Sequence, residues 1–259
     1  MSSFTIMDRI VTGHQQYYVT QYVHISSFTF LLWDYIITLP DEVELFWTGK
    51  WSYARVLFFV NRYQAIGWQV VHTMGQVWIH NLITLSCLSL IIPVHLILSF
   101  RVYGLYNRAR WITSFLAVLF LGSVAAELYV SIKLSPDLMR IALPLSDIVV
   151  CEAIPGTVLH LYLGLIPAVA FDTSALLLVL VRGMSYIRTR KTAGFKGSTL
   201  LRVLMRDSIL YFLVILVVYL ALIIALIKLP GTETFITFGY AFSITSITAT
   251  RMLINLKKL

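Results

Sequence analysis

Seven apolar stretches of about 20 residues, separated by short polar segments, constrain the fold of this chain more than any other feature. A helix of that length spans the hydrocarbon core of a bilayer. The sequence is 59% hydrophobic and only 12% charged, against roughly 25% charged in a typical soluble domain. We therefore predict an all-α, multi-pass membrane protein with a single seven-helix domain over residues 1–259. The predicted spans are residues 18–39, 54–73, 77–100, 111–132, 157–181, 208–229 and 233–254.

The distribution of Lys and Arg predicts the orientation of these helices. Basic residues concentrate in the short cytoplasmic loops of membrane proteins. Fifteen lie on one side of the predicted bundle, namely Lys50, Arg55, Arg101, Arg108, Arg110, Arg182, Arg188, Arg190, Lys191, Lys196, Arg202, Arg206, Arg251, Lys257 and Lys258. Four lie on the other, namely Arg9, Lys133, Arg140 and Lys228. This bias predicts an external N-terminus and a cytoplasmic C-terminus. It also accounts for most of the net charge of +8, so we expect no nucleic-acid partner.

Two of the predicted loops are longer than a helix connection requires. The external segment 133–156 alternates short apolar patches with Pro and Asp, so we expect a folded cap. The cytoplasmic segment 182–207 contains seven basic residues, and Ser198 is expected to cap an extension of the sixth helix. This loop is a topology determinant and the candidate contact for anionic lipid or a cytoplasmic protein. Its candidate contact residues are Arg188, Arg190, Lys191, Lys196 and Arg202.

Ionisable residues inside the predicted spans are the main candidates for a functional site. A charge at mid-bilayer is costly, so it normally faces the bundle interior and has a partner. By helix rise, Arg62 and Asp172 each lie about 14 Å from the cytoplasmic boundary, and Asp34 lies somewhat shallower. We predict that Arg62 pairs with Asp172, with Asp34, or with both. Such a pair would either fix helix register or act as a ligand-released switch; absence of contact is the third alternative.

No pattern in the sequence predicts an enzyme, a cofactor or a metal site. Five histidines map to the outer third of the predicted bundle, and His95 lies deeper without a partner at its depth. No two histidines have the four-residue spacing of a helical metal site, and no paired aspartates or Gly-x-Ser-x-Gly motif occur. Cys87 is expected to be a buried apolar residue and Cys151 to lie in the external loop. We therefore expect no intramolecular disulfide.

Aromatic and charged residues cluster around the first cytoplasmic loop. The cluster comprises Trp33-Asp34-Tyr35, Glu44, Trp47, Trp51 and Asn61-Arg62-Tyr63, with agreeing stretches at Arg101–Tyr106, Arg206–Phe212 and Arg251–Leu256. This pattern resembles a large, chiefly basidiomycete, fungal family of membrane proteins whose N-terminal module is a domain of unknown function. The resemblance implies a multi-pass membrane protein, often described as receptor-like. It supplies no catalytic residue.

The leading functional hypothesis is a receptor-like protein, with an outer sensing cap and a basic cytoplasmic loop over 182–207. A transporter or channel with a polar intramembrane path is the first alternative, although the two halves of the chain show no matched repeat of broken helices. A membrane scaffold is the second. Two familiar receptor motifs are absent, because the third helix ends Ser99-Phe100-Arg101-Val102-Tyr103 and the seventh contains no Asn-Pro-x-x-Tyr. We expect a multi-pass membrane location and favour the plasma membrane.

Overall fold

The computed structural model describes residues 3–48, 50–74, 79–138, 142–145, 148–151, 157–193, 199–228 and 235–258. Over these ranges the chain forms seven α-helices, in agreement with the predicted number and order. They are α1 (Ser3–Glu42), α2 (Tyr53–Met74), α3 (Ile79–Leu105), α4 (Arg110–Leu138), α5 (Thr157–Ala193), α6 (Thr199–Lys228) and α7 (Phe235–Lys258). A five-residue π-helical segment, Val43–Trp47, follows α1 directly.

The segment 133–156, which is predicted to be external, contains a structural element that the prediction of a cap did not specify. Strands β1 (Ala142–Leu145) and β2 (Ile148–Cys151) form an antiparallel hairpin. The β2 strand lies beside α1. The side chain of Cys151 lies outside the described residues, whereas Cys87 is a half-buried free thiol in α3.

Four of the described helices are long and apolar enough to cross a membrane. The qualifying segments are Leu85–Leu105, Arg110–Val130, Tyr162–Ser185 and Asp207–Lys228, in α3 to α6. Large apolar side chains cover the outer faces of these helices, including Val118 and Leu121 on α4 and Val217 and Ile224 on α6. Soluble proteins rarely expose contiguous apolar surface of this kind. The chain therefore has the features of a multi-pass membrane protein.

The first helix is longer than predicted. The predicted first span ends at residue 39, one residue before Pro40, which lacks a backbone N–H and has a ring that crowds the preceding turn. In the structure α1 continues through Pro40 to Glu42. The carbonyl that Pro40 leaves without its helical donor is Ile36 O, four residues earlier. The carbonyls just before it accept hydrogen bonds from side chains, since Asp34 O accepts from Thr38 Oγ1 and Tyr35 O accepts from Arg62 Nη2. Proline is tolerated inside a membrane helix when neighbouring groups satisfy the freed backbone.

Contacts between specific residues define how α1, α2 and α7 are arranged. His24 in the middle of α1 stacks on His72 near the end of α2, whereas Glu42 at the end of α1 contacts Arg62 earlier in α2. These two helices are therefore antiparallel. The end of α1 contacts the end of α7 through Asp34 and Arg251, so α1 and α7 are parallel. The end of α1, the start of α2 and the end of α7 consequently lie at one end of the bundle, which we call the basic end.

Candidate functional site: a polar seam between three helices

Buried polar side chains line one face of α1 at helical spacing. His24, Ser27, Asp34, Thr38 and Glu42 are separated by three, seven, four and four residues, which places them on one side of a helix. All five are buried. Their partners come from α2 and α7, and we call this interface the α1–α2–α7 seam. Lipid chains cannot form hydrogen bonds with polar side chains, so these five side chains can be buried only where neighbouring helices supply hydrogen-bond or ionic partners.

Arg62 and Glu42 form the central ion pair of the seam near the basic end. Arg62 Nε lies 2.7 Å from Glu42 Oε2, and the side chains are 4% and 0% exposed. The guanidinium also donates from Nη2 to Tyr35 O at 3.0 Å and to Thr38 Oγ1 at 2.8 Å. Its carbon lies 4.6 Å from the centre of the Tyr35 ring. Arg62 on α2 therefore contacts the last two turns of α1 through an ion pair, two hydrogen bonds and an aromatic ring.

The second oxygen of Glu42 accepts two further hydrogen bonds. Tyr63 Oη donates to Glu42 Oε1 at 2.8 Å and Trp47 Nε1 donates to the same atom at 3.0 Å. One carboxylate thus joins α1, α2 and the π-helical segment. Trp47 remains more than half exposed, as expected for a side chain at a membrane interface.

Ion pairs between α1 and α7 complete the basic end of the seam. Arg251 Nε donates to Asp34 Oδ1 at 2.7 Å, and Lys258 Nζ lies 2.7 Å from Asp41 Oδ1. Asp34 is buried and Arg251 is half-exposed, whereas Asp41 and Lys258 are both partly exposed. Lys257 donates to Leu45 O and lies over the Phe46 ring. Desolvation, with a contribution from nearby Arg55, lowers the pKa of Lys257.

The middle of the seam consists of neutral hydrogen bonds between α2 and α7. Asn61 Nδ2 donates to Ser246 O at 3.0 Å and to Thr250 Oγ1 at 3.1 Å, and Ser246 Oγ donates back to Asn61 O at 3.2 Å. A recess of about 10 Å³ between this layer and the ion pairs is lined in part by Asp34, Arg62, Ser246 and Thr250. That volume is close to the minimum for one water molecule.

The end of the seam opposite the basic end is also held by hydrogen bonds. Gln69 Nε2 donates to Gly239 O at 2.8 Å and to Ser243 Oγ at 3.0 Å, and Ser243 Oγ donates to Ser27 O at 2.9 Å. The rings of His24 and His72 stack with their centres 6.0 Å apart. Polar contacts therefore run along the α1–α2–α7 interface from one end to the other.

A separate polar cluster lies between α3, α4 and α5. His95 Nε2 is 3.6 Å from Asp172 Oδ1, and both side chains are completely buried. His95 Nδ1 is 3.5 Å from Ser123 Oγ. The His95 ring stacks on Phe171 with the ring centres 4.2 Å apart. We call these residues the α3–α5 cluster.

The structure gives each of the three predicted ion-pair residues a partner other than the one proposed from the sequence. Arg62 contacts Glu42 instead of Asp172, Asp34 contacts Arg251, and Asp172 faces His95. Arg62 and Asp34 are nevertheless close enough to interact electrostatically. The predicted Arg62–Asp172 pairing rested on similar depth alone. Depth does not identify neighbours, because it does not specify which helix faces which.

The candidate contact residues of the basic loop are only partly described. Arg188, Arg190 and Lys191 belong to the last turns of α5, and Arg202 belongs to the first turn of α6. Their side chains lie outside the described residues, as does Lys196 as a whole. The interpretation of 182–207 as a contact loop stays a prediction.

Two central residues of the seam were not singled out from the sequence. Glu42 is not among the predicted ion-pair residues, and Arg251 enters the predictions only as a basic residue of the cytoplasmic side and in the family resemblance. The four-residue spacing of Asp34, Thr38 and Glu42 is the signal that could have identified Glu42 as part of a helical face. The predicted first span ends at residue 39, so this face of α1 extends beyond it.

Comparison with known proteins gives one family match, and it falls on part of the seam. Residues 22–67 match the model of a family of unknown function, DUF6533. The matched segment includes Asp34, Glu42, Asn61 and Arg62, which supply the α1 and α2 sides of the polar contacts at the basic end. Neither the curated proteins nor the solved structures gave a match to the chain. The N-terminal part of the chain, from late α1 to mid-α2, is thus similar to a family of unknown function.

Proposed function

We propose that the chain is a seven-helix integral membrane protein that works as a receptor-like conformational switch. In this proposal all seven helices cross the membrane, with the N-terminus and the β1–β2 hairpin outside and the basic end in the cytoplasm. An outer signal shifts the α1–α2–α7 seam between two arrangements. The basic segment 182–207 then presents a different surface to a cytoplasmic protein or anionic lipid. No chemical step is assigned to the protein.

The observation that carries this proposal is the set of ion pairs at the basic end of the seam. Buried ion pairs contribute little net stability, since desolvation offsets their attraction, and their best-attested role is to specify one arrangement over another. Arg62–Glu42 and Arg251–Asp34 link three helices within the same few turns. Loss of either pair would favour separation of α1 from α7 or α2, so the closed state depends on a small number of contacts.

The switch can be tested by weakening the half-exposed pair and measuring the response of the basic segment. The variant Asp34→Asn removes the charge partner of Arg251 and keeps the size of the side chain. In inside-out vesicles we expect trypsin to cleave within 182–207 about twofold to fivefold faster than in the wild type. That range corresponds to a pair worth about 0.4–1 kcal/mol.

Asp41→Asn is the matched control for this experiment. It removes a charge from the exposed Asp41–Lys258 pair between the same two helices, and we expect the wild-type cleavage rate. Equal rates in all three proteins would contradict coupling between the seam and the basic segment. The switch proposal would then fail.

A proton-coupled transporter is the second candidate, because the α3–α5 cluster places an acid and a histidine together in the bundle interior. The test is proton flux into proteoliposomes that contain a pH-sensitive dye. Flux in the wild type that disappears in Asp172→Asn would support transport over the receptor-like switch. No flux above that of protein-free liposomes, together with faster cleavage in Asp34→Asn, would support the switch.

A further inference from the structure

The hydrogen-bonding of the α3–α5 cluster indicates where its proton resides. Ser123 Oγ donates its single hydrogen to Phe120 O at 2.8 Å. A hydroxyl has one donor and two acceptor lone pairs, so Ser123 can only accept from His95. The contact between Ser123 Oγ and His95 Nδ1, at 3.5 Å, therefore favours the tautomer of His95 with hydrogen on Nδ1.

That tautomer leaves a lone pair on His95 Nε2, which faces Asp172. Both carboxyl oxygens of Asp172 and Nε2 of His95 are buried without a hydrogen-bond partner among the described residues. An ionised Asp172 carboxylate would be repelled by the lone pair on His95 Nε2, and it would lack hydrogen-bond donors. A protonated carboxyl group can donate to Nε2 instead, and a small rotation from the present 3.6 Å separation brings the atoms into hydrogen-bonding range.

The surroundings of Asp172 also disfavour charge. His95 is stacked on Phe171 and lies edge-on to Phe120, so aromatic rings cover two sides of the cluster. A buried carboxylate needs ionic or hydrogen-bonding partners, and without them the group takes up a proton. The carboxyl group then holds one dissociable proton, the imidazole keeps its hydrogen on Nδ1, and the two groups together have no net charge.

We propose that Asp172 is a proton-binding site in the interior of the bundle, protonated at neutral pH and hydrogen-bonded to neutral His95. The residues of this site come from α3, α4 and α5. The proposal for Asp172 therefore does not depend on the proposed switch in the α1–α2–α7 seam.

Other titratable groups near Asp172 suggest a route by which its proton exchanges with the hairpin end of the bundle. Tyr219 of α6 is buried and interacts electrostatically with Asp172, with Glu127 of α4 and with Cys87 of α3. Glu127 lies one helical turn, about 6 Å, beyond Ser123 toward the end of α4 that carries the hairpin. Among the described residues, His95 and Tyr219 are titratable groups that interact with Asp172, and Tyr219 links it to Glu127. Glu127 therefore lies on the hairpin side of the α3–α5 cluster.

A glycine on α5 provides the space that Glu127 occupies. A Cβ at Gly164 would lie 3.3 Å from the carboxyl carbon of Glu127. Any larger residue at this position would force the carboxyl group to move. Gly164 therefore offers a way to disturb the route without changing a titratable residue.

Infrared spectroscopy of the full chain in lipid nanodiscs tests the proposal, because a protonated carboxyl group has a C=O band that a carboxylate lacks. We expect such a band at neutral pH, shifted in D2O, and lost in Asp172→Asn. The control Asp41→Asn should retain it, because Asp41 is partly exposed. If Asp172→Asn removes no band from the neutral-pH spectrum, Asp172 is ionised and the proposal is wrong.

Two further measurements remain informative if Asp172→Asn does not fold. In the wild type, the nitrogen chemical shifts of His95 should report a neutral ring with hydrogen on Nδ1; an imidazolium would overturn the assignment. In Gly164→Ala, exchange of the Asp172 proton with D2O should be several-fold slower than in Gly122→Ala, where the added Cβ meets nothing within 4 Å. Equal exchange rates would overturn the route through Glu127.

Discussion

Glu42 shows how the end of a helix determines the role of an acidic side chain. In a cytoplasmic loop it would be a solvated charge with little effect on folding. Because α1 continues past Pro40, Glu42 is instead fully buried and accepts contacts from Arg62, Tyr63 and Trp47. The contact from Arg62 is Coulombic, since the N–H group is not aligned for a hydrogen bond with Glu42 Oε2.

The Arg62–Glu42 pair should respond strongly when only one partner is neutralised. Breaking a buried pair in this way leaves an uncompensated charge and costs about 3–5 kcal/mol. We expect Glu42→Gln to lower the stability of the protein by about 3 kcal/mol, measured by thermal unfolding in detergent with concentration-matched samples. The exposed-pair variant Asp41→Asn should change it by less than about 1 kcal/mol.

The double variant Glu42→Gln, Arg62→Gln distinguishes a pair from two independent residues. Interacting residues are not additive. The loss of stability in the double variant should be smaller than the sum of the losses in the two single variants, because no unpaired charge remains. Additive losses would show that Glu42 and Arg62 stabilise the protein separately.

At the scale of the helix, backbone contact between α1 and α7 depends on a glycine. A Cβ at Gly239 would lie 2.6 Å from Ser27 Oγ and 3.1 Å from His24 Nδ1, so α7 approaches α1 closely at this level. Small residues allow such approach between membrane helices. The same turn supplies Gly239 O as the acceptor for Gln69, so the close approach and the hydrogen bonds at the end of the seam opposite the basic end occur together.

Gly239→Ala should therefore destabilise the bundle by about 1–3 kcal/mol, the usual cost of overpacking a well-packed interface. Combining it with Ser27→Ala should recover part of the loss, because the closest atom, Ser27 Oγ, is removed and the next atom, His24 Nδ1, is 3.1 Å away. Gly122→Ala on α4 is the matched control and should be close to neutral. Thermal unfolding in lipid nanodiscs provides the comparison, and equal melting temperatures for Gly239→Ala and Gly122→Ala would contradict the close approach.

Helix positions were predictable from the sequence because long apolar runs depend on local composition. The seven described helices overlap the predicted spans, although α1 and α3 to α6 extend beyond them by five residues or more at one end. The partners of Arg62, Asp34 and Asp172 were not predictable in the same way. They depend on the rotation of each helix about its axis and on which helices are neighbours, and neither is encoded by the depth of a residue along its own span.

Across the whole molecule, the helices that qualify as membrane spans differ from the three helices that form the polar seam. The helices α3 to α6 have segments that satisfy the length and hydropathy expected of a membrane span. The polar seam occupies α1, α2 and α7, where side chains such as Asp34, Asn61 and Ser246 lower the mean hydropathy. Since those side chains are buried against each other, they need not face lipid, and the three helices remain candidates for crossing the membrane.

The proposed topology predicts which single cysteines react with a membrane-impermeant maleimide in intact cells. In a background with Cys87→Ala and Cys151→Ser, the exposed positions Ser52, Asn107 and Lys133 are replaced by cysteine one at a time. Lys133→Cys should react from outside, whereas Ser52→Cys and Asn107→Cys should react only after permeabilisation. This follows because α2 and α3 return the chain to the same side and α4 carries it across.

Tags on the two chain ends complete the topology measurement. An N-terminal tag should be accessible to antibody in intact cells, and a C-terminal tag only after permeabilisation, because an odd number of spans places the ends on opposite sides. If both tags are accessible in intact cells, the chain does not have seven spans. If Lys133→Cys reacts in the same way as Asn107→Cys, α4 does not cross the membrane. The reversed pattern at every position would keep the seven spans and place the ion pairs of the basic end outside, where they could not act on a cytoplasmic partner.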